Sequence, residues 1–244
     1  MTAKKAILFD LDGTLLPMDR EEFVRAYLPG VSAAAASIGD PRLIGKCILA
    51  GSEAMMASTN PDRTLEEVFW AHFERLSGIT RASSEALFEA YYHSPAFDAV
   101  REVTPAEPLV PEILAAARRT GLRIVLATSP LFPRVATQKR VQWAGLQSSD
   151  FEFITTFEDC HAAKPHRAYY EEVLGRLGLQ GSECYMVGND AREDLPAPAE
   201  LGMETFLLLN HAIIPQGYEY RCDHEGDYHA LLRFLTGLAE GARA

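Results

Sequence analysis

The sequence has little positive charge, few cysteines and no long hydrophobic run. Its 244 residues include 23 Lys and Arg against 34 Asp and Glu, a formal net charge of −11. Sequence-independent binding of nucleic acid needs a basic surface, so this balance argues against nucleic acid as a partner. An anionic substrate remains compatible with it where positive charge is local, supplied by a few basic side chains or a metal ion.

The cysteines lie far apart and include no C-x-x-C pair, which indicates free thiols in a reducing compartment. The apolar run near the amino terminus extends only from Ala6 to Phe9, too short for a signal peptide. No stretch approaches the roughly 18 uncharged apolar residues of a membrane span. We therefore expect a cytoplasmic protein with no membrane partner.

After residue 100 the chain alternates predicted helices with short apolar strands. The segments “PEILAAARRTGLRIVLATSP” and “AYYEEVLGRLGLQGSECYMVGND” each pass from a helix through glycine into a strand, and “EDLPAPAELGMETFLLLN” is a shorter example. This alternation predicts a mainly parallel sheet with helices on both faces, a Rossmann-like three-layer α/β/α core. Such sheets bind ligands at the carboxyl ends of their strands. Polar residues follow the predicted strands there: Asp10, Asp12, Thr128, Ser129, Asn189 and Asp190.

Residues 17–101 contain no apolar run of strand type and predict an all-helical segment. Thr64 and Glu67 match a capping box at the start of one helix, and Ser84 is a candidate start for another. The aromatic residues near Phe69 are interpreted as the core of this segment. Four cations of the segment could meet a second anionic group of a substrate, but each is interpreted as an ordinary surface charge: Arg20, Arg42, Lys46 and Arg63.

The helical segment implies two domains built from three stretches of the chain. Residues 1–16 and 102–244 are expected to form the Rossmann-like core, and residues 17–101 a helical cap domain inserted after the first strand. The proline-bearing stretch “VTPAEPLVP” is the expected connection back to the core.

Two carboxylates stand two residues apart at the end of the first strand, Asp10 and Asp12 in “FDLDGTL”. Left alone they repel each other, and one would keep its proton. A divalent cation keeps both ionised, and Mg²⁺ prefers one or two carboxylates together with waters and substrate phosphate oxygens. Asp190 follows a different strand and offers a further ligand. The sequence therefore predicts a Mg²⁺ site formed by Asp10, Asp12 and Asp190.

Four motifs resemble those of the haloacid dehalogenase-like hydrolases and follow in that family's order: “FDLDGTL”, “IVLATS”, “AKPHRAYY” and “MVGNDAREDL”. Each lies at a predicted strand end or helix start, which is the context that such motifs require. The helical segment is similar in position to the C1-type cap of the phosphoglycolate phosphatase and β-phosphoglucomutase branch. The resemblance covers residue 6 to about residue 203.

The resemblance implies a covalent mechanism on two aspartates. Asp10 would be the nucleophile that forms an aspartyl-phosphate. Asp12 would protonate the leaving alcohol and then activate the hydrolytic water, while its backbone carbonyl ligates Mg²⁺. An acid at position 12 favours phosphate esters over the family's dehalogenation chemistry, because the leaving oxygen must gain a proton.

The resemblance also assigns the residues around these aspartates. Thr128 and the amide of Ser129 would hold the phosphoryl oxygens, and Lys164 would neutralise charge on the phosphoryl group and the nucleophile. Asp190 would ligate Mg²⁺, and Asp194 would orient neighbouring residues without contacting the metal itself. Asn189 stands where many relatives carry an acid, which leaves Asp190 as the expected side-chain ligand from this loop.

The resemblance implies a Mg²⁺-dependent phosphatase that hydrolyses a small-molecule phosphomonoester, with a small phosphorylated metabolite as its partner. One alternative is a phosphomutase of the β-phosphoglucomutase type, which shares all four motifs and differs in whether water or a sugar hydroxyl takes the phosphoryl group. A second is a non-enzymatic, metal-binding phospho-acceptor domain of the receiver type, which lacks a long helical insertion after its first strand. The sequence names neither the physiological substrate nor the oligomeric state.

Overall fold

A five-stranded parallel sheet with strand order β2-β1-β3-β4-β5 forms the centre of the structure. The structure is a computed structural model that describes residues 3–241. The strands are β1 Ala6–Phe9, β2 Arg123–Leu126, β3 Cys184–Gly188, β4 Glu204–Leu208 and β5 His224–Gly226.

Strand β1 lies in the middle of the sheet, between β2 and β3. Ile7 is opposite Ile124 of β2, and Phe9 is opposite Val187 of β3. Every residue of β1 and β3 is buried, as the wholly apolar runs predict for a sheet covered on both faces. The residues that follow these three strands are therefore brought to one edge of the sheet.

Helices connect and cover the strands. Those between β1 and β2 are α1 Arg20–Ala34, α2 Pro41–Ala57, α3 Leu65–Ser77, α4 Arg81–Tyr92, α5 Pro95–Asp98 and α6 Val110–Arg119. Those after β2 are α7 Arg134–Trp143, α8 Arg167–Leu177, α9 Pro196–Glu200 and α10 Tyr228–Gly241. We call α1 to α5 the helical insertion.

The local sequence explains where the helices of the insertion begin and end. Thr64 and Glu67 form the expected capping box, in which Thr64 Oγ1 accepts from the Glu67 amide at 3.3 Å and Glu67 Oε2 accepts from the Thr64 amide at 3.0 Å. This satisfies two donors that the first turn leaves free. Helix α4 begins at Arg81, so the candidate start at Ser84 is wrong by three residues: Thr80 is the extended residue before the helix, and Ser84 is already inside it.

The largest apolar cluster joins the insertion to the sheet. It includes Phe9 of β1, Phe23 and Tyr27 of α1, Phe97 of α5 and Trp143 of α7. Aromatic residues of α3 also belong to it, which confirms their interpretation as core. The opposite face of the sheet packs against α8 through a second cluster.

The predicted Rossmann-like α/β core with a parallel sheet is confirmed, and the segment after its first strand is helical as expected. Strand β5 was not predicted, because it has only three residues and none of them is buried. The domain boundaries at residues 17 and 101 stay a prediction, and the outermost ends of the predicted core, residues 1–2 and 242–244, lie outside the described residues. Among residues 3–241, no helix combines the length and the apolar character needed to cross a membrane.

Candidate active site

Asp10 directly follows β1 and is almost completely buried, with 6% of its surface exposed. Lys164 Nζ donates a hydrogen bond to its Oδ1 at 2.9 Å, and Thr14 Oγ1 donates to its Oδ2 at 3.1 Å. Both carboxylate oxygens are thus fixed by donors that come from different parts of the chain. This holds the Asp10 side chain in one orientation at the edge of the sheet.

Lys164 links Asp10 to Asp194. Its ammonium is fully buried and also donates to Asp194 Oδ1 at 2.7 Å. Burial alone would lower the pKa of Lys164, but the two carboxylates outweigh it and hold that pKa above its ordinary value. The ammonium therefore keeps its charge at neutral pH.

Burial has the opposite effect on Asp10. It raises the pKa of Asp10 from 3.8 to about 7, against the opposing charge of Lys164. Asp194 and Asp12 raise that pKa further because they are negative and near. A cation added to this site would offset these effects and favour the ionised carboxylate.

The loop after β3 fixes Asp190 and Asp194 relative to each other. Asp194 Oδ2 accepts from the Asp190 backbone amide at 3.0 Å. Asp190 Oδ1 accepts from the amides of Arg192 and Glu193 at 2.9 and 3.2 Å. Its Oδ2 lies on the side of the Arg20 guanidinium, 3.7 Å from Nη2. Oδ1 of Asp190 thus stabilises the loop after β3, and Oδ2 lies on the side of Arg20.

Thr128 and Ser129 follow β2 and line the same cavity as Asp10. The Thr128 carbonyl accepts hydrogen bonds from Thr155 Oγ1 at 2.7 Å and from Tyr169 Oη at 3.0 Å. These two buried hydroxyls hold the backbone of the loop at Thr128 in place.

Asp12 pairs with Arg140 of α7. Arg140 Nη1 contacts Asp12 Oδ2, and the Arg140 side chain is completely buried. Its guanidinium lies 4.3 Å from the centre of the Phe132 ring. Asp12 Oδ1 and Arg140 Nε are both buried without a hydrogen-bond partner in the part of the chain that is described. Asp12 therefore has a free buried oxygen beside the paired one.

Gly13 is required by the close approach of two loops. Its φ is +86°, a conformation that favours glycine, and a Cβ there would overlap the side-chain amide of Asn189. Asn189 Oδ1 lies 3.2 Å from Thr14 Oγ1, whose single proton is shared between Asn189 and Asp10, and Asn189 Nδ2 donates to the His211 carbonyl at 2.7 Å. Asn189 thus ties the loops after β1 and β3 together.

Arg20 differs from its interpretation as an ordinary surface charge. It is the first residue of α1, and its Nη2 donates to Glu193 Oε1 at 3.1 Å. The contact joins the helical insertion to the loop after β3. Burial raises the pKa of Glu193, and the Arg20 charge opposes that effect.

A cavity of about 310 Å³ lies between the carboxyl edge of the sheet and the helical insertion. Its lining includes all but one of the predicted site residues: Asp10, Asp12, Thr128, Ser129, Asp190 and Asp194. Lys164 is not part of the lining, but it contacts the lining residue Asp10 through a hydrogen bond. The structure thus brings the predicted residues together in one place.

The donor set suits a hard cation. Asp10 and Asp190 direct carboxylates to the same cavity, and within the described residues no hydrogen bond reaches the Asp12 carbonyl oxygen. No three Asp, Glu, His or Cys side chains of residues 3–241 are grouped to hold a metal ion by themselves. Mg²⁺ keeps several waters and does not need three protein side chains. A site of two carboxylates, one carbonyl and water or phosphate oxygens therefore agrees with the residues present.

Arg140 and Thr14 escaped the sequence analysis. Thr14 stands inside “DLDGT”, yet nothing in its spacing shows that it contacts Asp10. One feature could have indicated Arg140: it shares a helix face with Ala136 and Val141, and a charged residue on a buried face needs a partner.

Residues 4–202 match the family model described as haloacid dehalogenase-like hydrolase. The chain is 30% identical over 228 residues to a phosphoglycolate phosphatase of Pectobacterium atrosepticum, with 90% of this chain and 84% of that protein covered. It is 26% identical over 215 residues to a ribulose-1,5-bisphosphate 5-phosphatase of Halopiger xanaduensis, with 83% of this chain and 84% of that protein covered.

Among solved structures, a phosphatase of this family from Thermococcus onnurineus matches with a TM-score of 0.60 and 23% identity, covering 96% of this chain and 98% of that chain. The L-2-haloacid dehalogenase of Xanthobacter autotrophicus matches with a TM-score of 0.58 and 16% identity, covering 96% and 99%. These two similarities support the fold.

The chain therefore belongs to the haloacid dehalogenase-like hydrolases. The predicted family and the predicted enzyme class, a hydrolase of the phosphatase branch, are confirmed.

Proposed function

We propose that this chain is a Mg²⁺-dependent phosphatase that hydrolyses a small phosphomonoester through an aspartyl-phosphate on Asp10. The observation that carries the proposal is the position of Asp10, which is fixed by Lys164 and Thr14 and opens into a cavity shared with Asp12 and Asp190. The cavity of about 310 Å³ suits a small substrate rather than a polymer.

In the proposed mechanism the ester loses its alcohol in the first step. Asp10 attacks phosphorus and forms the new P–O bond, while Asp12 gives its proton to the departing alcohol oxygen. In the second step Asp12 takes a proton from water, the water oxygen attacks phosphorus, and Asp10 is released with inorganic phosphate. Lys164 neutralises Asp10, and Thr128 and Ser129 bind the phosphoryl oxygens.

Mg²⁺, held by Asp10, Asp190 and the Asp12 carbonyl, would supply positive charge for the phosphoryl oxygens. Asp194 would keep Lys164 and the Asp190 loop in place, since it contacts both. In this proposal residues 17–101 form a cap over the site and residues 1–16 and 102–244 the catalytic core. The predicted cytoplasmic location stays a prediction.

The test is phosphate release from 4-nitrophenyl phosphate by Asp10→Asn. We expect kcat to fall about a thousandfold or more, because the nucleophile is lost while the shape of the site is kept. Chelation with EDTA is expected to abolish the activity of the unchanged enzyme, and added Mg²⁺ to restore it.

Asp62→Asn is the matched control, because Asp62 is an exposed residue outside the cavity. Its activity is expected to equal that of the unchanged enzyme. Full activity of Asp10→Asn would contradict the assignment of the nucleophile. Isomerisation of a sugar phosphate without release of phosphate would support the phosphomutase instead.

A further inference from the structure

The side chains that line the active-site cavity divide into a polar end and an apolar wall. The polar end is formed by residues that follow the strands, among them Asp10 and Asp190. The apolar wall comes from α1, α2 and the segment after β2: Phe23, Tyr27, Leu28, Ile48, Leu131 and Phe132. A phosphoryl group bound at the polar end would point its alcohol toward this wall.

Aromatic packing fixes the shape of the apolar wall. The rings of Phe23 and Tyr27 are stacked with centres 5.7 Å apart, and Phe132 meets them edge-on at 5.9 and 5.4 Å. The hydroxyls of Tyr27 and Tyr92 form a hydrogen bond of 2.7 Å. Ser52, which lies beside the wall on α2, donates to the Ile48 carbonyl at 3.1 Å. The hydroxyls of Tyr27 and Ser52 thus each have a hydrogen-bond partner inside the protein.

The charges around the cavity disfavour a second anionic group on the substrate. Arg20 is the only basic residue in the lining that the described residues provide, and it is bound to Glu193 at 3.1 Å and lies 3.7 Å from Asp190. Glu53 of α2 adds a further negative charge to the lining. A carboxylate or second phosphate on the alcohol would find no uncommitted cation beside the wall.

The apolar character continues to the surface. Leu49 and Met56 of α2 both line the cavity, and 40% and 38% of their surfaces are exposed. Large apolar side chains that stay exposed beside a pocket extend the area available to an apolar ligand.

From this distribution we infer that the alcohol part of the substrate is apolar, an aromatic or branched aliphatic group without a second negative charge. The inference rests on the proposed phosphatase function and narrows its substrate class. It separates this chain from its relatives named for phosphoglycolate and ribulose-1,5-bisphosphate, whose names specify substrates with a second anionic group.

Two phosphate esters of matched shape test the inference. In 3-methylbutyl phosphate the chain ends in an isopropyl group, and in 3-phosphonooxypropanoate a carboxylate of similar size takes its place. We expect kcat/KM with Mg²⁺ at neutral pH to favour the methylbutyl ester by about tenfold or more, because burying apolar carbon is favourable and burying an unpaired charge is costly. Equal values, or a preference for the carboxylate, would overturn the inference.

A charge placed at the exposed edge of the wall provides the second arm of the test. Leu49→Arg adds a cation to the lining at a position where the surface leaves room for it. We expect the preference for the methylbutyl ester to fall about tenfold. The control is Leu43→Arg on the same helix, which is 45% exposed and does not line the cavity, and there the preference is expected to stay unchanged. An unchanged preference in Leu49→Arg would contradict the assignment of the wall.

Hydrolysis of 4-nitrophenyl phosphate distinguishes the two possible failures. Release of phosphate from this compound that depends on Asp10, together with a preference for the carboxylate ester, would overturn the inference alone. Absence of release from all three compounds would overturn the proposed function and, with it, the inference.

Discussion

At the scale of the residue, burial and charge compete on Asp10. The carboxylate is removed from water, which favours its neutral form, while Lys164 favours its ionised form. The pKa of about 7 shows that burial and the neighbouring carboxylates outweigh the single ammonium. A second cation at this site would favour the ionised carboxylate near neutral pH.

This balance predicts a pH dependence of stability in the absence of metal. The pKa of Asp10 is 3.8 when it is unperturbed and about 7 in the folded chain, so the folded state binds the proton more tightly. The resulting stabilisation is present below about pH 4 and is lost as the pH rises to about 7. Asp10→Asn has no such titration, so its melting temperature relative to the unchanged protein is expected to increase between about pH 5 and pH 8.

Scanning calorimetry in EDTA measures this difference. Saturating Mg²⁺ is expected to stabilise the unchanged protein at the higher pH, since it binds the ionised carboxylate. Asp62→Asn serves as the control and is expected to follow the unchanged protein at both pH values. A difference between Asp10→Asn and the unchanged protein that is the same at both would contradict the shift.

The positions of Asp10, Asp190 and Lys164 were predictable because each stands at a strand end or helix start that the sequence marks. The hydrogen bond from Thr14 to Asp10 was not, because side-chain direction inside a loop depends on the backbone angles of that loop. Gly13 illustrates the cause: its positive φ brings Asn189 close, and only the folded chain shows that neighbour.

At the scale of the element, α7 carries a charged residue on its buried face. Arg140 comes from this helix and Asp12 from the loop after β1, and the two meet across the edge of the sheet. Thr137 Oγ1 accepts from Arg140 Nη2 at 3.4 Å, and Phe132 packs against the guanidinium. The helix thus fixes the direction of the Asp12 side chain.

If Arg140 positions Asp12 as the general acid, its replacement should matter most for poor leaving groups. We expect Arg140→Gln to lower kcat for an alkyl phosphate about tenfold more than for 4-nitrophenyl phosphate, because a basic alkoxide needs the proton and nitrophenolate does not. Steady-state kinetics with both substrates measure the ratio.

Lys139→Gln is the matched control for this experiment. Lys139 is the neighbouring residue on α7 and pairs at the surface with Asp98 at 3.0 Å. Its replacement is expected to leave the ratio of the two kcat values unchanged. An equal loss on both substrates in Arg140→Gln would point to a general structural role for Arg140.

At the scale of the whole molecule, the insertion and the sheet share one apolar cluster. Phe97 of α5 packs against Trp143 of α7 with ring centres 4.9 Å apart, and Tyr27 of α1 packs against Phe132 at 5.4 Å. Because of such contacts, unfolding of the insertion would also expose apolar surface of the region around the sheet, so the two parts are expected to unfold cooperatively. We therefore expect the two parts to unfold together when no ligand is bound.

The two tryptophans of the chain, Trp70 and Trp143, allow this to be measured. Trp70 lies in α3 of the insertion and Trp143 at the end of α7. In Trp143→Phe the fluorescence reports on the insertion, and in Trp70→Phe it reports on the region of α7. For each variant, urea unfolding followed by fluorescence is expected to coincide with unfolding followed by far-ultraviolet circular dichroism.

Comparing two probes within one variant removes the effect of the substitution on stability. A fluorescence transition of Trp70 that precedes the loss of helical signal would contradict the shared cluster as the link. It would instead show that the insertion unfolds as a separate unit.

The sequence by itself determined the parallel sheet, the helical segment after β1 and the positions of Asp10, Lys164 and Asp190, because apolar periodicity and motif order act along the chain. Only the tertiary structure decided that Arg140 pairs with Asp12, that Arg20 reaches Glu193 and that one side of the cavity is apolar. These features depend on side chains far apart in sequence, and their contacts form only when the helices pack against the edge of the sheet.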